Sequence, residues 1–317
     1  MRTYPLLTLS LFLVGCNSGG NTTATFTPPA LATADLAITA DNAIDVAQAG
    51  VRGSLDLVRL SYIGAKFLQT TFPEPPGEPG EPIAPVTLGT VLSTEVFGPE
   101  NGVATFTWDD VNEDEVYSSG DVFTMNFDDY GDQGMTLNGI MTIDNITLQG
   151  LLPGDGTYIV DANLNLLGLT ITIGTLEHTF DTTLPFHLEN RIVVELFDLI
   201  LLEPQVIGQF EIREGTRLSR MTTDETLRYV LDGAVHSAAL EGLVRFSTPL
   251  GLRGSPFLND PIEGYMVIRG AGGSSLELEP FCLFPGVCLS LDVRVDEDGD
   301  AEFENTQSTS WQALLPQ

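Results

Sequence analysis

The chain reads as mainly β: a large curved antiparallel meander sheet, or an incomplete barrel, packed around one long N-terminal α-helix. Three observations carry this expectation. Apolar residues between Ala43 and Leu68 recur at spacings of three and four, the period of a helix. From about residue 86 onward the apolar period drops to two, and Gly, Pro and Asp-Gly turn signals separate the runs. A hydrophobic fraction of 43% is enough for a packed core rather than a disordered chain.

The N-terminus has its own logic. Arg2 precedes an apolar run from Tyr4 to Val14, too short for a spanning helix, which needs roughly 20 residues. Leu13-Val14-Gly15-Cys16 closes that run and resembles the lipobox of bacterial lipoproteins. The resemblance implies a signal peptide over 1–15, cleavage before Cys16, and acylation of that cysteine by diacylglyceryl and fatty acyl (palmitate-type) chains. Asn17 stands where an aspartate would retain such proteins at the inner membrane, so the implied address is the cell outer membrane, lipid-anchored, on either of its sides. At about 0.8 kcal/mol per buried methylene, more than one chain gives stable anchoring. Residues 16–34, rich in Gly, Ser, Thr and Asn, then serve as a polar tether.

The helix is expected within 35–71. Thr39, with Asp41 and Asn42 behind it, is the expected N-cap and acidic first turn. Ala43, Ile44, Ala47, Val51, Leu55, Val58 and Tyr62 form one stripe. Val46, Leu57, Leu60, Ile63, Phe67 and Leu68 widen it past a surface arc, so the helix should be buried. Gly50, Gly53 and Gly64 each cost about 1 kcal/mol of propensity and predict close approach of another backbone. Residues 72–85 are a Pro/Gly/Glu linker. The rest, 86–317, is an antiparallel β domain of roughly 12 strands that forms one unit with the helix. Ala104, Phe106 and Trp108 share a face, as do Phe123, Met125 and Phe127, and Leu289, Leu291, Val293 and Val295. Around Leu166 and Leu167 the alternation slips by one residue, as at a bulge.

Charge excludes some partners. With 44 acidic and 13 basic side chains the net charge is −31, which repels nucleic acids and anionic lipid. Such a chain suits high ionic strength or divalent cations. With Cys16 acylated, Cys282 and Cys288 remain as an even pair about the turn dipeptide Pro285-Gly286, the expected disulfide of an exported protein.

Two acidic loops have calcium-type spacing. Asp110, Asn112 and Asp114 fall at positions 1, 3 and 5 of an EF-type loop, with Asp121 at position 12 but Glu115 where glycine belongs. Asp296, Asp298 and Asp300 repeat the pattern, with Gly299 early and Gln307 at position 12. Both also read as polar hairpin turns. The glycine-rich run from Gly270 to Ser275 lies between strands with no lysine after it, so it reads as a turn and not a phosphate loop. His178, His187 and His236 are far apart, and His178 shares a face with Phe180, as a core histidine would. No G-x-S-x-G or H-E-x-x-H motif is present. The expectation is a protein that is not an enzyme, with no cofactor beyond a possible calcium ion.

Pro261–Ser275 and Asp296–Glu304, leading to Trp311, resemble the C-terminal part of uncharacterised proteobacterial outer-membrane lipoproteins, and Thr39–Ala47 resembles their early helix start. That resemblance implies an envelope location and no activity. The expected function is an outer-membrane-anchored, non-enzymatic binding protein for a lipid or other hydrophobic ligand. The alternative is a structural or surface-interaction lipoprotein with calcium-stabilised acidic loops.

Overall fold

Helix α1 spans Ala43–Leu68, 26 residues, in a computed structural model that describes residue 30, residues 32–68 and residues 91–314, apart from 114–115, 133, 151–156, 175, 192–193, 208–209, 224–225, 255–260 and 285–286. The signal segment, most of the tether and the 72–85 linker lie outside the described residues. Asn42, not Thr39, is the residue from which the helix starts. Its carbonyl accepts the Val46 N–H at 2.9 Å, its Oδ1 accepts the Thr39 N–H at 2.9 Å, and its Nδ2 donates to the Ala37 carbonyl at 3.0 Å. Of the helix residues whose side chains are described, Asp45 alone is exposed. Two serines in this apolar cylinder, Ser54 and Ser61, donate back to the carbonyls of Val51 and Val58, so neither hydroxyl is left bare.

Seventeen strands come after it among the described residues, against the roughly 12 expected. They are β1 (Val91–Phe97), β2 (Asn101–Asp109), β3 (Val122–Asp132), β4 (Met135–Gln149), β5 (Tyr158–Ile173), β6 (Leu176–Arg191), β7 (Val194–Ile200), β8 (Gln205–Ile207) and β9 (Phe210–Ile212). Then come β10 (Arg217–Thr222), β11 (Leu227–Ser237), β12 (Gly242–Ser247), β13 (Leu252–Gly254), β14 (Met266–Arg269), β15 (Ser275–Phe284), β16 (Val287–Asp296) and β17 (Asn305–Thr309), and a last helical turn, α2 (Trp311–Leu314). The surplus comes from β8, β9, β13 and β14, three or four residues each, too short for alternation to register.

All strands belong to one antiparallel sheet that is not closed. From β1 to β7 each strand pairs with the next. β7 then pairs with β10, β10 with β11 and β11 with β12; the ladder runs on from β12 to β14 and through β15 and β16 to β17. β11 has two partners on each edge: β10 and β9 on one, β12 and β13 on the other. Helix α1 lies against β7, β9–β12 and β14–β16. The inward side chains of the sheet and those of α1 make a single apolar core.

The phase slip in β5 is a bulge. Leu166 faces Thr182 and Leu169 faces Phe180, so β5 spends one residue more than β6. Leu164, Leu166, Leu169 and Ile171 are all buried, while Leu167 is 66% exposed. Gly139 of β4 sits against this bulge at φ +106°, where a Cβ would lie 2.2 Å from the Gly168 carbonyl oxygen. A second bulge corrects an expectation. Leu289 does not share the inward face of Leu291, Val293 and Val295, because β16 carries an extra residue there and Leu289 turns outward, 62% exposed.

Gly50 and Gly64 of the helix meet side chains, not backbone. A Cβ on Gly50 would come within 2.5 Å of Cδ1 of the fully buried Ile268, whereas one on Gly64 would meet Phe197 and Leu164 at 3.6–3.8 Å, ordinary contact. The two positions should therefore respond with opposite sign. Gly64→Ala is expected to stabilise by about 0.5–1 kcal/mol through helix propensity. Gly50→Ala is expected to destabilise, since overpacking of about 1–3 kcal/mol exceeds that gain. Urea unfolding of the two variants measures both.

Candidate functional site

The residues ahead of α1 are laced to the far end of the chain. Leu243 donates to Asp35 Oδ1 at 2.6 Å, and its carbonyl accepts the N–H groups of Asp35 and Leu36. Ala271 donates to the Leu36 carbonyl at 2.8 Å, and Ile38 donates to Ser274 Oγ at 2.9 Å. Gly270 allows this approach: a Cβ there would stand 2.4 Å from the Leu36 oxygen. The glycine-rich run is thus a docking point for the N-terminal strap, and its turn rests on Gly299 of the loop after β16.

That loop holds Asp296, Asp298 and Asp300. One carboxylate oxygen from each, and one from Glu304, all lie within 4.8 Å of one another. Two oxygens bound to one calcium at about 2.4 Å are at most about twice that apart, so these four can share an ion. Asp296, 5% exposed, organises the loop: Oδ1 accepts Gly299 N–H at 2.7 Å and Oδ2 accepts Ala301 N–H at 3.0 Å. Asp298 and Asp300 accept the N–H groups of Asp300 and Glu302, and Glu304 accepts that of Glu297. The turn needs left-handed backbone at Gly299 (φ +80°) and Ala301 (φ +69°). Glu297 accepts the Ala40 N–H at 2.8 Å and Gln307 donates to the Ala40 carbonyl at 3.0 Å, so both ends of the loop grip the strap that leads into α1.

Glu304 is the member that sequence reasoning missed. It stands at position 9 of the same loop, where EF-type sites place a ligand, and position 12 drew attention away from it. Gln307 at that position is engaged with Ala40 instead.

Among the described residues, the other acidic loop is not gathered in this way. Asp121 is fully buried and accepts the Trp108 indole N–H at 3.0 Å and the Ser118 N–H at 2.9 Å, which makes it the staple of its own turn. Asn112 donates to Ser118 Oγ at 2.7 Å. Asp110 is half-buried at the end of β2, and Asp114 lies outside the described residues. Cys282 and Cys288 form the expected disulfide, facing each other across β15 and β16 with Cα atoms 3.8 Å apart. Cys16 lies outside the described residues.

The ionic groups inside the sheet come in pairs. Arg220, 2% exposed, pairs with Glu195 and stacks 5.4 Å over the Phe197 ring. Burial pushes its pKa down, with the Glu195 charge opposing. Lys66, the one lysine of the chain, reaches Asp132 at 2.5 Å near the end of α1. Burial alone would lower its pKa, but the bond to Asp132 and the neighbouring Tyr130 raise it overall. Lys66–Asp132 ties the helix end to β3 and Arg220–Glu195 ties β10 to β7, and removing one member of a buried pair costs about 3–5 kcal/mol.

His178 is buried beside Phe180, as expected, and His236 is half-buried on β11. His187 is different. On the outer face of β6 its Nδ1 lies 2.7 Å from Asp161 of β5, with Asp198 of β7 opposite on the other side. Only strand register brings these residues together. Among the described residues, no helix is long and apolar enough to cross a membrane. No family model, curated protein or solved structure matches the chain.

The His187 pKa is raised above 6.5, first by the Asp161 hydrogen bond and also by the charges of Asp161, Asp198 and Glu189, against partial desolvation. A raised histidine stabilises the fold fully below its unfolded value and ceases to do so as pH rises through the folded one. His187→Gln should therefore cost stability at pH 5.5 and nothing at pH 9. The pair is exposed, so the cost stays under about 1 kcal/mol. Urea midpoints of variant and wild type at the two pH values measure it.

Proposed function

We propose that the chain is a non-enzymatic, lipid-anchored envelope protein of structural or surface-interaction type, and that calcium stiffens the Asp296–Glu304 loop. We read the sheet as curved about α1, an incomplete barrel whose interior the helix fills. The single observation that carries the proposal is the convergence of Asp296, Asp298, Asp300 and Glu304 on one point, in a loop whose flanks hold the strap into α1. A cation there would couple loop, strap and buried helix. The charge of −31 gives the fold a use for such an ion, because four carboxylates in one turn repel.

The alternative role as a carrier of a lipid or hydrophobic ligand draws less support. Val46, Val51, Leu57, Leu60 and Phe67 of α1 are buried among inward residues of the sheet, where such a ligand would lie.

Calcium that binds only the folded chain should raise stability by about 2.7 kcal/mol at a hundredfold excess over Kd. The expected outcome is a higher Tm in millimolar calcium than in EDTA, both in high sodium chloride, with the difference abolished by Glu304→Gln. Equal melts in the two buffers would reduce the loop to a polar turn. The anchor is tested separately. Cys16→Ser should release the protein from the membrane fraction or leave its signal uncleaved, and a variant that fractionates like wild type overturns the lipoprotein reading.

A further inference from the structure

The end of the β15–β16 hairpin is apolar where most of this surface is acidic. From Pro280 to Leu291, twelve residues pass without a formal charge. Phe281 faces Ser290, and the bulge turns the extra residue, Leu289, out beside it. The two side chains are 48% and 62% exposed. The Cys282–Cys288 bridge closes the hairpin immediately beyond them, so this end of the ladder cannot fray.

We propose that Phe281 and Leu289 are a membrane-contact element that enters the acyl region of the bilayer holding the N-terminal lipid. Two exposed apolar side chains fall far short of the ~800 Å² per partner that a stable protein interface buries. They do suffice as a second, weak attachment to a surface that a tether already keeps near, because tethering supplies the effective concentration. The reach is adequate. Eighteen residues separate Cys16 from Asp35, up to about 60 Å extended, whereas the strap docks at one end of β15 and the hairpin tip is its other end, about 33 Å away. Charge favours the same point: an acidic globule is repelled by an anionic surface everywhere except where it is uncharged, and an uncharged tip can enter lipid without desolvating a charge.

The inference rests on the lipid-anchor reading, so the two are read apart. Intact mass of the membrane-extracted protein reports acylation first. Phe281→Trp and, as a control, Leu250→Trp (an exposed turn residue of the wild-type chain, 62%) are then mixed with excess phosphatidylcholine vesicles carrying brominated acyl chains. Trp108 and Trp311 are buried and common to both variants. Quenching several-fold stronger at position 281 than at 250 is expected of the acylated chain, whereas an unacylated chain overturns the anchor reading on which the inference rests. Leu289→Asp added to Phe281→Trp should lower that quenching several-fold, since the tip loses one of its two apolar side chains, with an unchanged melt. Equal quenching at the two positions overturns the proposal. So does lipid-free, concentration-dependent dimerisation lost on Phe281→Asp, which would assign the tip to a second copy instead.

Discussion

Burial of α1 is the constraint on which the rest of the structure depends. A 26-residue helix with one exposed side chain among those described cannot be stable alone in water, and its glycines make it weaker still. It needs apolar surface on most sides, which a flat sheet face does not offer. β7, β9–β12 and β14–β16 all touch it, so strands far apart in the ladder share it as a neighbour. The sheet in turn has one continuous inward face to cover, and α1 is the element that covers it.

A set of fittings surrounds the helix. Asn42 starts it, the Leu36–Ala40 strap directs it, and Lys66–Asp132 holds its far end. Gly50 is the point where β14 comes too close for any side chain. The acidic loop belongs to the same set, because Glu297 and Gln307 fix the backbone of Ala40. A loop that would otherwise be a surface turn is in this way mechanically connected to the core.

Much of this was legible in the order of residues. The helix was visible in its spacing and its burial in the width of the apolar arc. The β5 bulge was visible as a phase slip, because alternation is strict enough there for one extra residue to show. The disulfide followed from two cysteines about a Pro-Gly turn. Short strands such as β8 and β13 were not legible, because three residues cannot display a period of two. Leu289 was misread because its bulge sits where the alternation ends, with no further inward residue to betray the slip. The pairing of His187 with Asp161, 26 positions away, depends on register, which composition does not carry. Asp121, which spacing places at position 12 of an EF-type loop, accepts the N–H groups of Trp108 and Ser118, contacts that spacing does not carry.

The strap bonds have a consequence for how the chain comes into being. Leu243 meets Asp35, Ser274 meets Ile38 and Glu297 meets Ala40 across separations of 208, 236 and 257 residues. During synthesis from the N-terminus α1 emerges well ahead of the strands that lie against it, from β7 to β16. Closing loops of that size is slow, since ordering must precede its reward. Until β7 and β9–β12 have emerged, the chain therefore carries the apolar α1 segment with none of its strand partners to put over it. A cell that makes this protein must shield that segment until then, and a message truncated ahead of β14 yields a product in which the part of α1 that meets β14–β16 stays uncovered.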